Sequence, residues 1–163
     1  MTSWLRRVRQ PPPAGQQAPE EDRDAPDKLR LRLWAQIQFI NRNAGRLPVE
    51  AVVIARQVTD TMREVIETST DKTLDVYAIV QVNGIVDDYL PTTLQAYLNL
   101  DPAVTERPGP SGRTPRAALR EQLEGLRTAA GELLQAARAH DVDLLFTQGN
   151  FLRTKFTRSD LDL

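Results

Sequence analysis

The residues of this 163-residue chain with the best claim to chemistry are a single histidine, His140, and two pairs of carboxylates, Asp87 with Asp88 and Asp141 with Asp143. One histidine is too few for the usual multi-histidine zinc site. The chain has no cysteine, which removes thiolate catalysis, disulfides and cysteine-ligated zinc. Neighbours in sequence point about 100° apart on a helix, so Asp87 and Asp88 do not share one ion easily. They read as solvated carboxylates or as salt-bridge partners of arginines on facing helices; the metal alternative is a weak divalent-cation site shared with Asp141 or Asp143. Serines fall at positions 3, 69, 111 and 159, all in expected loops or tails and none in a nucleophile-elbow setting. Asn83-Gly84 is isolated, and the G-P-S-G string at 109–112 lacks the lysine and flanking strand of a phosphate loop. Tyr77, Tyr89 and Tyr97 read as core residues with a hydroxyl reaching the surface. No catalytic residue, cofactor site or metal site is expected, and the chain reads as a non-enzyme.

These residues must be held by helices. Apolar positions recur at steps of three and four rather than in alternation, which is the helical period. From Asp27, expected as the cap, Leu29, Leu33, Ile37 and Ile40 form one stripe. Gly45 and Pro48 supply a stop and a restart, and a second helix over Val49 to Glu67 carries Val52, Ala55, Met62 and Ile66 with Ile54, Val58 and Val65 beside them. A polar turn, Thr68 to Thr73, leads to a third helix that is apolar nearly all round and therefore buried. Its densest part is Ile85 to Leu100, with Pro91 in the middle as a kink or a restart. Gly84 marks a close helix crossing or a tolerated glycine. Asp101 to Thr114, rich in proline and glycine, is a loop; Thr114 and Pro115 make a helix start.

Beyond Pro115, Leu119, Leu123, Leu126, Ala130, Leu133, Ala137, His140, Leu144, Thr147 and Phe151 alternate steps of four and three without a break. This heptad frame predicts one helix from Pro115 to Lys155, about 60 Å long, with two helices bent near His140 as the alternative. Packing against the third helix, returned antiparallel by the loop, suits such a frame. His140 is then a seam residue.

Basic and acidic residues nearly balance, 21 against 22, which gives no electrostatic pull toward nucleic acid. No apolar run reaches the length of a membrane span, and the arginines near the N-terminus are not followed by the apolar stretch of a signal peptide. A cytoplasmic location is expected, with a contact at the inner membrane face as the variant. That contact would be made by Trp4, Leu5, Arg6, Arg7, Val8 and Arg9, an amphipathic basic segment about two helical turns long. It sits in front of a proline-, glutamine- and acid-rich linker expected to be disordered. Residues 1–26 therefore read as an arm, 27–158 as one helical domain and 159–163 as a tail.

The string D-Y-L-P-T-T-L-Q-A-Y-L-N-L, Asp88 to Leu100, resembles the pattern of the XpaC-like proteins, helical proteins grouped with toxic-anion (tellurite) resistance. Asp141 to Leu152 resembles the acidic and apolar stretch that closes their long helix, so the likeness spans residues 85–156. The resemblance implies an all-helical accessory or stress protein near the inner membrane surface, in a family labelled with phosphoester hydrolysis and without catalytic residues to carry across.

The fold expected is all-α: an antiparallel bundle of about four helices with a long coiled-coil-like C-terminal helix and a disordered N-terminal arm. The function expected is that of a non-catalytic accessory or scaffold protein in a stress or toxic-anion-resistance system. It would act through a protein partner or a homodimer. Leu119, Leu123, Leu126, Leu133, His140, Leu144 and Phe151 would form the partner face. The alternatives are peripheral membrane binding through Trp4 to Arg9 and a metal-assisted phosphoester hydrolase.

Overall fold

A computed structural model of the protein describes residues 23–68 and 76–159, and their side chains apart from those of 76, 77, 141, 142 and 144–159. Every regular element among the described residues is helical. Helix α1 is Pro26–Asn43 and α2 is Val49–Thr68, joined through a 3₁₀ turn at Ala44–Arg46. Helix α3 comprises Val76–Asn83, a π-helical turn at Gly84–Tyr89 and Leu90–Leu98; α4 is Pro115–Ser159. The expected arm and tail, and the polar turn, fall mostly on residues outside this description. No helix among the described residues is long and apolar enough to cross a membrane.

Helix α1 begins as the stripe requires, with Leu29, Leu33, Ile37 and Ile40 all buried. Its start differs from expectation. Ala25 occupies the cap position and its carbonyl accepts from the amides of Lys28 and Leu29. Asp27 lies in the first turn and pairs with Arg30. Pro26 explains the shift, because a proline at the first helical position supplies a preset φ and lacks an amide hydrogen that would otherwise need a partner. The start of α4 is as expected: the Thr114 hydroxyl accepts from the Ala117 amide, with Pro115 first in the helix.

The π turn in α3 resolves the question posed by Pro91. Val82, Val86, Leu90, Leu94 and Leu98 stand four residues apart, and all five are buried. On an ordinary α-helix each such step drifts by about 40°, so the run would wind off the core face. The wider i→i+5 turn returns it: the Leu90 amide donates to the Ile85 carbonyl. Pro91 lacks the hydrogen that would bond the Asp87 carbonyl, and its ring crowds that turn, which favours opening the helix there. Gly84 faces no other helix. A Cβ there would lie 3.1 Å from Cε2 of Tyr89, whose ring covers its own helix across the π turn. Tyr89, expected in the core, is consequently 55% exposed.

Helix α4 lies mainly along α2, not α3, and runs parallel to it. Arg116 holds Glu50 through Nε and Nη2, at 2.5 and 3.0 Å; Arg127 donates to Gln57 and Arg138 to Glu64. These contacts advance in the same direction on both helices. The arginines stand about three turns apart and their partners about two, a difference that long guanidinium arms can span. Beneath them Leu119, Leu123, Ala130 and Leu133 join one core with residues of α1, α2 and α3, and Leu126 packs on its edge.

Arg116 also reaches Glu106, and its own protonated form is favoured by both carboxylates. The Glu50 carboxyl is held below its ordinary 4.5, chiefly by the hydrogen bond from Arg116. A depressed carboxylate contributes stability that is present above its unfolded value and is lost as pH falls through the folded one. Thermal melting between pH 7 and pH 3 should therefore show that Glu50→Gln lowers Tm at neutral pH. The gap to the parent should narrow as pH falls below the ordinary 4.5 and close once pH is below the lowered value of the folded state.

Candidate functional site

The most organised polar group among the described residues sits where the segment before α1 meets the π turn of α3. Arg32, on the α1 flank facing α3, bonds Asp87 through Nη1 and Asn83 Oδ1 through Nη2 at 2.8 Å; Nη2 also reaches the Arg23 carbonyl at 3.2 Å. Asn83 passes the chain on to Asp24 at 2.9 Å, and Arg23 approaches Asp87 at 3.4 Å. Two arginines and two aspartates balance in charge. The Arg32 and Asp87 side chains retain only 21% and 24% of their exposure, so the pair is shielded from solvent. At the other end of the same two helices, Arg46 donates to the Leu98 carbonyl at 2.9 Å. These two ties set α1 and α3 parallel.

Between the ties lies an open groove of about 690 Å³, lined on α1 by Ala35, Gln36, Phe39 and Arg42 and on α3 by Asp87, Pro91, Thr92, Gln95, Ala96 and Asn99. Two buried polar atoms beside it lack partners, Nε of Arg32 and Oε1 of Gln36. An unsatisfied buried polar group costs about 1–3 kcal/mol, so each calls for a physical reason.

The two adjacent aspartates separate as the helix geometry predicts. Asp87 turns to the arginines, whereas Asp88 is exposed and accepts from Thr92 at 3.3 Å. No group of three metal-ligating side chains occurs among the described residues. Sequence reasoning missed Arg32, Asn83 and Gln36. A signal existed in the i+4 apolar run, whose period implies a π turn and so turns attention to the polar residues beside it.

The expected partner face is divided. Leu119, Leu123 and Leu133 are 3%, 0% and 7% exposed and Leu126 is partly buried, so the chain's own helices occupy them and they are not a free surface. The physical reason is that α2 lies alongside α4 over this length. His140 is exposed. The side chains of Leu144 and Phe151 fall outside the described set, as do all of Trp4, Leu5, Arg6, Arg7, Val8 and Arg9. No family model, curated protein or solved structure matches this chain.

The Arg32–Asp87 pair should be a stability element. A double-mutant cycle with Arg32→Met and Asp87→Leu, read by urea unfolding, should give a coupling of about 1–3 kcal/mol. Each single substitution should cost more than the double, because it leaves the remaining shielded charge with only a more distant partner, Arg23 for Asp87 and Asp24 for Arg32.

Proposed function

We propose that this chain is a non-catalytic helical accessory or scaffold protein that acts through protein contacts. In this reading it is an antiparallel four-helix bundle, and the C-terminal part of its long, coiled-coil-like last helix extends beyond the other three as a docking rod. One observation carries the proposal. Among the described side chains the last cross-link from α4 to α2 is Arg138 to Glu64, near the end of α2 at Thr68, while α4 continues to Ser159, roughly 30 Å further at 1.5 Å per residue. The sequence of that continuation includes Val142, Leu144, Leu145, Phe146, Phe151, Leu152 and Phe156. So apolar a helix in water calls for a covering surface. His140, Leu144 and Phe151 extend the heptad frame into it, and a second copy of the chain is the simplest cover. The stress and toxic-anion setting rests on the resemblance carried by the Asp88 to Leu100 string and the Asp141 to Leu152 stretch.

Light scattering on the full chain should give the mass of a dimer, and a chain ending at His140 should be monomeric with its melting transition retained. A monomeric full-length protein would remove self-association from the proposal.

A second reading, peripheral attachment to an anionic membrane, has its own observation. Leu31 and Trp34 are 64% and 58% exposed in the first turns of α1, and Lys28 beside them is exposed as well. In the sequence they follow the basic segment Trp4 to Arg9 after the linker of residues 10–26. Removal of Met1 to Gln10 should then abolish sedimentation with anionic vesicles, and Trp34→Ala should weaken it; unchanged sedimentation of the truncated chain would sink this reading.

A further inference from the structure

We propose that the groove between α1 and the second half of α3 binds a short peptide-like zwitterion, with its ammonium end at Gln36 and Asp87 and its carboxylate end at Arg42. At one end, Oδ2 of Asp87 takes both arginines, while Oδ1 takes no described partner. Gln36 lines the same end, and its Oε1, covered and without a donor, becomes available to a ligand when the amide turns toward the groove. This end therefore offers unspent acceptors. At the other end, Arg42 lines the groove and makes no hydrogen bond or ion pair with the described residues around it. Asn99 lines the same groove near this end, with Oδ1 engaged by Gln95 at 2.8 Å, which leaves its amide hydrogens to donate. This end offers unspent donors, one of them a permanent cation.

Between the two ends Phe39 on α1 and Pro91 and Ala96 on α3 supply apolar wall, alongside the polar Thr92 and Gln95. The parallel course of the helices, tied at Arg32–Asp87 and at Arg46–Leu98, keeps acceptors with acceptors and donors with donors. From Gln36 to Arg42 is about 9 Å along α1. An α-amino acid is too short to touch both ends. An extended tripeptide, at about 3.3–3.6 Å per residue, spans the distance with its two termini. A central aromatic or aliphatic side chain would lie against Phe39 and Pro91.

The probe is the tripeptide Ala-Phe-Ala, titrated calorimetrically into the full chain beside its N-acetylated and C-amidated forms. Saturable binding of the free peptide is expected at millimolar concentration or below, and each cap should weaken it about tenfold, the loss of one charged contact. Arg42→Ala should make binding indifferent to amidation while acetylation still matters, and Gln36→Leu should weaken binding and shrink the effect of acetylation while amidation keeps its full effect. Arg42 is exposed, so its variant tests the site even if Gln36→Leu folds poorly. Gln36→Glu should tighten binding by adding a carboxylate. Absence of saturable binding, or binding that ignores both caps, would overturn the proposal.

Discussion

Pro91 brings a missing hydrogen-bond donor into the middle of an otherwise continuous helix, and much of the structure follows from how that defect is absorbed. An α-helical register at this point would leave the Asp87 carbonyl without its donor and press the proline ring against it. The helix opens into a π turn, and the Leu90 amide reaches back to Ile85. Because the turn is wider, the apolar run from Val82 to Leu98 stays on one side and all of it is buried. The same turn brings Asp87 to Arg32 and leaves Tyr89 lying over Gly84. π turns recur at functional sites because they redirect side chains without ending a helix, and here the redirected residue is a carboxylate at the mouth of a groove.

The arginines divide between two tasks. Arg32 and Arg46 hold α1 to α3; Arg116, Arg127 and Arg138 hold α4 to α2. The second set is largely exposed, and such pairs are worth little individually. Their use is in register, since a guanidinium that finds its carboxylate fixes the axial position of one helix on another while the apolar contacts beneath tolerate sliding. Arg32 is different. Shielded and surrounded by fixed partners, it ties the segment before α1 to α3.

Much of the fold was legible in the residues. The stripe Leu29, Leu33, Ile37 and Ile40 and the Thr114–Pro115 start are local signals, read from period and from hydrogen-bonding capacity, and each appears where the pattern put it. The candidate site was less legible. Asp87 was recognisable as a carboxylate suited to a facing arginine, but nothing local singles out Arg32 from the chain's other arginines, or Gln36 from its other glutamines. Their roles arise from which flank of α1 turns toward α3. That is a matter of packing between residues some fifty positions apart.

The sequence by itself determined the helices, because helix formation depends on the spacing of apolar residues and on caps and prolines within a few positions of one another. Tertiary structure alone decided the use of the heptad frame in α4. Leu119, Leu123, Leu126 and Leu133 have the spacing of a surface for a partner, yet α2 occupies them from within the same chain. The reason is that a heptad specifies a face that must be covered and carries no information about which helix covers it. That choice was made by the connections and by arginine contacts to Glu50, Gln57 and Glu64, which set α2 along this face.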